Sequence, residues 1–327
     1  MSDRSLSELG EQGLLPLLQA FCPAEQRGDD AAILTPPAGQ QLVVSSDVLV
    51  EGIHFSEATT PPAAIGWRAA AANLSDLAAM GATPAGITLA LALPSDRRLS
   101  WLQQIYQGLD RCLKQYDCPL IGGDLSRSPT ATLAVTALGW VSPNRVIRRS
   151  TAQVGDWIIA TGLHGLSRLG LGQLLEEWVV PESLREQAIA AHQTPKPRLD
   201  VVPLLARSQP AGTVWRVAGM DSSDGLADAV LQICRASQVG AVIEALPLPA
   251  TTSFDRDRLI QAALYGGEDF ELVLCLSPDW AQALLELLGE QAQVIGQITE
   301  KPVVQLRLSD RTEILSLDRG FQHFTTH

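Results

Sequence analysis

Apolar residues recur at helical spacing from Ser5 to Phe21 (Leu6, Leu9, Leu14, Leu17, Leu18), and Pro16 is expected to kink or break that helix. Gln41 to Ser45 reads as a strand running into Ser46-Asp47. Pro61-Pro62 opens a long helix through Ala79, closed by Gly81 in a left-handed cap. Ile87, Leu89, Leu91 and Leu93 alternate with smaller residues, and Pro94 ends that strand. Trp101 to Tyr116 has an amphipathic helical pattern, Leu120-Ile121 is a short strand entering Gly122-Gly123-Asp124, and Thr130 to Val141 is another strand.

Ser142 to Val154 is polar and arginine-rich and reads as a connector. Beyond it a strand at 157–160 restarts the pattern. Helical stretches at 166–177, 182–191, 224–237, 255–264 and 279–289 then alternate with strands at 213–219, 239–244, 271–276 and 292–297. Strands separated by helices on both sides of a connector imply two α/β halves, which a chain of 327 residues can fill.

The net charge of −12 changes the picture. It argues against nucleic acid and anionic membranes as partners. A Walker A loop is excluded, because none of the three lysines (Lys114, Lys196, Lys301) follows a glycine. The polar start of the chain has no signal-peptide core, and Asn73, Asp76 and Pro84 interrupt the most apolar stretch. Five cysteines without a CxxC read as reduced thiols, and together these features point to the cytoplasm.

The carboxylates fall in unusual places. Asp30 lies between a turn and an apolar strand, and Asp47 follows Ser45 and Ser46 at a strand end. Taken alone, either is more often a turn or cap residue than a ligand. Asp76 is different, since it sits in the alanine-rich helix one turn after Asn73, where a carboxylate is costly unless a cation or donors satisfy it. Asp124 follows two glycines, which permit close backbone approach to a phosphate. Asp221-Ser222-Ser223-Asp224-Gly225 carries more acid and hydroxyl groups than an N-cap needs, and Gly266-Gly267-Glu268-Asp269 again places glycines before acids. Together these motifs point to a polyanionic pocket neutralised by divalent cations.

Taken in order, these segments resemble the thiamine-monophosphate kinase family. They are Gly28-Asp29-Asp30-Ala31-Ala32, Ser45-Ser46-Asp47 through Glu51-Gly52-Ile53-His54-Phe55, Asn73-Leu74-Ser75-Asp76, Gly122-Gly123-Asp124, Asp221-Ser222-Ser223-Asp224-Gly225, Gly266-Gly267-Glu268-Asp269 and the closing Gly320-Phe321-Gln322-His323-Phe324. The resemblance implies an α/β (α+β type) two-domain fold shared with aminoimidazole ribonucleotide synthetase. Residues 1–148 would then form an ATP- and Mg²⁺-binding domain whose sheet pairs two subunits into a homodimer, and 149–327 an α/β domain completing the active-site cleft. It further implies Mg²⁺ ligands at Asp30, Ser45, Ser46, Asp47, Asp76, Asp124, Asp221 and Asp224. ATP would contact Tyr106, Gly123, Asp124, Arg149 and Ser223, and thiamine monophosphate would contact His54, Glu268 and Phe321. Leu166, where the family often has aspartate, and Thr194, where arginine is common, depart from its pattern.

The implied reaction is in-line transfer of the ATP γ-phosphoryl group to the phosphate of thiamine monophosphate, with several Mg²⁺ ions. The acceptor is already ionised, so no general base is expected. Selenophosphate synthesis would favour a reactive cysteine near a glycine-rich N-terminus, and the maturation dehydratase of the same superfamily a C-terminal cysteine; neither is present. ATP-dependent ring closure and a non-catalytic nucleotide- or metal-binding regulator stay open at this point.

Overall fold

The computed structural model describes residues 3–27 and 30–320. The chain divides into two compact units, one running up to Leu77 with Ala82–Pro143, the other comprising Ala78–Gly81 and the chain from Asn144 onward.

The first unit contains helices α1 (Leu6–Gln19), α2 (Pro62–Ala79, whose last two residues are grouped with the second unit) and α3 (Leu99–Gln115). Its strands are β1 (Gln41–Val50), β2 (Thr83–Leu93), β3 (Leu120–Arg127) and β4 (Thr132–Val141). They form a sheet in the order β1-β4-β2-β3, with β4 antiparallel to both neighbours and β2 parallel to β3. One sheet face, carrying Ile87, Leu89, Leu91, Leu133 and Val135, is buried; so are Leu74 on α2 and Leu102, Ile105 and Leu109 on α3. That burial is what makes these alternating and 3.6-periodic sequences fold together. Ser5 caps α1 in a reciprocal capping box with Glu8.

The interruption in α1 falls at Gly10, not at Pro16 as the sequence suggested. Gly10 has φ 64° and ψ 171°, a conformation that only glycine adopts at little cost, and Pro16 lies within the helix that resumes after it. Strands β1, β2 and β3 also run longer than expected. Regular pairing continues through Ser46-Asp47 and through Gly122-Gly123-Asp124, which are therefore strand residues, not loop residues.

The second unit holds β5 (Trp157–Thr161), α4 (Leu166–Leu174), α5 (Glu182–Gln193), α6 (Val201–Arg207), β6 (Ala218–Asp221), α7 (Leu226–Ser237) and β7 (Gly240–Ile243). It continues with α8 (Arg256–Tyr265), β8 (Leu272–Leu276), α9 (Pro278–Leu288), β9 (Ala292–Thr299), β10 (Val304–Leu308) and β11 (Arg311–Ile314). Its seven-stranded mixed sheet has the order β11-β10-β7-β9-β5-β8-β6. Two apolar clusters are built on it. One contains Ile158, Val230, Ile233 and Val273, the other Ile159, Leu274, Trp280 and Leu284. Adjacent residues of β5 and of β8 thus enter different clusters, as expected for strands buried on both faces. The strand expected at 213–219 begins only at Ala218, and α6, β10 and β11 were not anticipated.

Candidate active site

The pleat of β1 separates the serine-aspartate triplet. Ser45 faces α2 and donates its hydroxyl hydrogen bond to the Asp76 carboxylate. The half-buried side of β1 takes Val43, Ser45, Asp47 and Leu49, and Ser46 faces the other way. The Ser46 hydroxyl donates to Val135 O at 2.9 Å and lies 3.3 Å from Thr136 Oγ1. Asp47 is held through its backbone, whose N–H donates to Asn73 Oδ1 at 3.2 Å; the Asn73 amide in turn donates to Ala69 O at 3.0 Å. Asn73 is fully buried, so α2 spends a buried amide on fixing the strand that bears Asp47.

A cavity of about 430 Å³ in the first unit is bordered by Asp30, Tyr106, Gly123 and Asp124. It thus gathers four residues named from sequence, three of them expected to contact ATP. Register places Asp124 beside Ala90 and Gly123 beside Leu89. A Cβ at Gly123 would sit 2.1 Å from Leu89 O, so this strand pairing admits only glycine there. Tyr106 is buried, its ring 5.2 Å from that of Phe21, and burial pushes its phenol above the usual tyrosine range. Arg27, which the sequence reading passed over, also borders the cavity and donates to Cys22 O at 2.8 Å. Its only sequence signal was a cation directly before Gly28-Asp29.

His54 lies in the turn after β1. Its Nδ1 accepts the Val50 N–H at 3.0 Å, and its carbonyl accepts from Arg68 at 3.3 Å. An accepting Nδ1 leaves Nε2 as the protonated nitrogen of the neutral ring.

In the second unit two motifs far apart in sequence lie side by side. Asp221 ends β6 opposite Leu272 and is buried. Ser222 N donates to Glu271 O at 2.8 Å, Glu271 N donates to Ser222 Oγ at 3.2 Å, and Glu268 N donates to Ser223 O at 2.7 Å. Gly267, Glu268 and Phe270 have φ of 66°, 60° and 52°. Two non-glycine residues in left-handed conformation within three positions mark backbone strain held by its surroundings. Asp224 is exposed just before α7. Arg149 is exposed beside that same helix, donating to Gln232 Oε1 at 2.8 Å.

The holding groups include residues to which the sequence gave no site role. The Asp269 carboxylate accepts the amides of Gly165 (2.6 Å) and Ser167 (3.0 Å) at the start of α4. Burial pushes its pKa up to about 7, against those two bonds. Buried His192 places Nδ1 3.6 Å from a Glu268 carboxylate oxygen and 3.4 Å from Ser167 Oγ. Arg198 and Thr161 both donate to Glu271 at 2.6 Å; burial raises the Glu271 pKa and Arg198 opposes the rise. The two departures from the family pattern have packing roles: Leu166 joins an apolar cluster with Leu169, Val180 and Leu184, and Thr194 caps α5 through Ala190 O at 2.9 Å.

Phe321, together with Gly28 and Asp29, lies outside the described residues. Among those described, no group of three or more His, Cys, Asp or Glu side chains is arranged to hold a metal ion. The expected donors are carboxylate and hydroxyl oxygens, which suit a hard divalent cation. Mg²⁺ is commonly held by one or two carboxylates completed by substrate phosphates and water, so the donor set fits without an all-protein cage.

Both units match known protein families. Residues 28–141 match the family described as AIR synthase related protein, N-terminal domain, and residues 153–309 match its C-terminal domain. The chain is 97% identical over all 327 residues, the full length of both, to thiamine-monophosphate kinase of Synechococcus elongatus. The crystal structure of thiamine-monophosphate kinase from Stenotrophomonas maltophilia superposes with a TM-score of 0.79 at 33% identity, over 93% of this chain and 98% of the other. A structure of AaThiL complexed with AMPPCP and TMP superposes at 0.72 and 30% identity, over 94% and 96%. Identity of this extent, spanning both units and every motif above, places the chain in the thiamine-monophosphate kinase family of AIR synthase-related proteins.

Proposed function

We infer that this chain catalyses ATP-dependent phosphorylation of thiamine monophosphate to thiamine diphosphate, releasing ADP. The observation that carries this reading is the 97% identity along the entire chain to a thiamine-monophosphate kinase. The relative solved with AMPPCP and TMP supports ATP as the co-substrate.

The ATP-binding part of the site is assigned to the cavity bordered by Tyr106, Gly123 and Asp124. Strand residues at its wall bring backbone close to a polyphosphate, and the buried Tyr106 ring stiffens the cavity beside α3. Arg149 and Ser223 complete the ATP set. His54, through Nε2–H, donates to a phosphate oxygen of thiamine monophosphate. Glu268 complements the cationic thiazolium and Phe321 stacks on a ring of the substrate.

Asp30, Ser45, Ser46, Asp47, Asp76, Asp124, Asp221 and Asp224 are the proposed Mg²⁺ set. Bound Mg²⁺ would offset the repulsion between the ATP polyphosphate and the acceptor phosphate. The chain's own part is to orient both substrates in line and to keep the acceptor phosphate ionised, for which no general base is needed. Residues 1–148 are assigned ATP, Mg²⁺ and dimer contacts, and 149–327 the remainder of the site.

A homodimer is supported by β1. It is an edge strand with Leu42, Val44 and Val48 exposed on its outer face, an arrangement that invites pairing with a second copy. No helix among the described residues is long and apolar enough to cross a membrane, which is compatible with a cytoplasmic location. The deciding experiment is ADP release with Mg²⁺ and ATP in the presence of thiamine monophosphate, free thiamine or an aminoimidazole precursor. Turnover with the first alone is expected; turnover only with the aminoimidazole precursor overturns the assignment.

A further inference from the structure

His54 does not sit in a free loop. The turn that carries it leaves β1 at Val50 and is closed on itself: Gly52 N donates to Phe55 O at 2.8 Å, and the amides of Ile53 and His54 donate to Val50 O at 3.1 and 2.9 Å. Gly52 has φ 84°, a left-handed corner. Both flanks of this turn are acidic, and one guanidinium reaches both. Arg97 Nη2 bonds Glu51, and Arg97 Nη1 bonds Glu57 at 2.6 Å.

Arg97 is itself well anchored. It lies in the connection between β2 and α3, its carbonyl accepts the Leu6 amide at 2.9 Å, and its guanidinium stacks 4.9 Å from the Trp101 ring centre. The second oxygen of Glu51 accepts Ala131 N at 3.4 Å, so the clamp is continuous with the start of β4. Side chains of Arg97 and Glu51 are only 20% and 21% exposed, and an ion pair so placed is better fixed than a solvated one. Strands β1 and β2 run parallel on either side of β4, so the turns after them emerge at the same sheet end, where Arg97 spans the gap.

We propose that Arg97 is a positioning residue for thiamine monophosphate: by clamping Glu51 and Glu57 it fixes the turn that presents His54 to the substrate phosphate. This rests on the assignment of His54 to the substrate. Both charge partners of Arg97 flank the turn, so its task is to hold a shape, and its loss is felt by the ligand that needs that shape.

The test is steady-state kinetics of the full chain, with the KM for each substrate measured separately and melting temperature recorded alongside. Arg97→Ala is expected to raise the KM for thiamine monophosphate on the order of tenfold, with the KM for ATP changed by less than about twofold. Arg97→Lys, which keeps the charge but not the two-pronged geometry, is expected to recover part of the loss. Should Arg97→Ala not fold, Glu51→Gln combined with Glu57→Gln cuts the same two arms and is expected to give the same pattern. Equal rises in both KM values, or none in either, overturn the proposal while His54→Gln still raises the KM for thiamine monophosphate. If His54→Gln leaves that KM unchanged, the assignment of the turn to the substrate fails first, and the role of Arg97 with it.

Discussion

Ser45 and Asp76 are hydrogen-bonded across 31 positions of sequence, the serine hydroxyl of β1 donating to the carboxylate of α2. The bond joins the first strand of the sheet to the helix packed on it, and it does so with a group proposed to bind metal. An Asp76→Asn substitution keeps a carbonyl oxygen for the Ser45 hydroxyl, removes the charge and puts an amide NH2 in place of the other oxygen. Stability is therefore expected to change by no more than about 1 kcal/mol. The Mg²⁺ concentration needed for half-maximal ADP release is expected to rise on the order of tenfold. Thermal unfolding and a magnesium titration together check this, and an unchanged titration removes Asp76 from the metal set.

Gly267 gives a sharper structural forecast. Its φ of 66° already disfavours other residues, and a Cβ there would sit 2.6 Å from Ser223 O. Gly267→Ala must therefore push apart the two acidic motifs that Glu268 N and Ser223 O hold together. Strain plus displacement is expected to cost about 2–4 kcal/mol, read by urea unfolding. The KM for thiamine monophosphate is expected to rise at temperatures where the variant remains folded.

Val44 tests the proposed pairing of subunits. It is 57% exposed on the outer face of an edge strand that also exposes Leu42 and Val48. An aspartate at this position interrupts an apolar strip without touching the buried face. Val44→Asp is expected to shift the chain from dimer to monomer in sedimentation velocity, with its far-UV circular dichroism unchanged. A wild-type chain that sediments as a monomer removes the dimer.

Much of this was legible in the sequence, for reasons that can be named. Alternation from Ile87 to Leu93 and helical spacing from Trp101 to Tyr116 mark one-sided burial, and both became elements of the first unit. Ser46 shows a limit: a motif read as a string places Ser45, Ser46 and Asp47 together, yet a pleated strand turns the middle side chain to the opposite face. The pairing of residues 221–223 with 267–271 was not legible, since β6 and β8 become neighbours only in the folded sheet. Asp269 was visible as part of an acidic motif, but its role, like that of His192, was not legible for the same reason. Each acts on a residue distant in sequence, and nothing local distinguishes a carboxylate that caps a helix elsewhere from one exposed in a turn.

Buried titratable groups in the second unit set opposing pH dependences. His164 is wholly buried, neither ring nitrogen has a hydrogen-bond partner among the described residues, and burial pushes its pKa from 6.5 down to about 3. The unfolded chain takes up this proton more readily, so its contribution is complete above pH 6.5 and is lost as pH falls toward 3. Asp269 acts in the other direction. Burial lifts it from 3.8 to about 7, so the folded chain holds the proton more tightly, and its contribution is complete below pH 3.8 and lost as pH rises through 7. Over the shared window each supplies a slope of about 1.4 kcal/mol per pH unit, with opposite sign. From these two groups the wild-type chain is expected to show little net slope between about pH 4 and 6.5. Substituting leucine for His164 leaves Asp269 unopposed, and stability should then fall as pH rises through this window. Asp269→Asn leaves His164 unopposed, and stability should rise with pH. Urea unfolding at half-unit pH steps separates the two, and parallel curves for both variants and the wild type exclude these groups as the titrating pair.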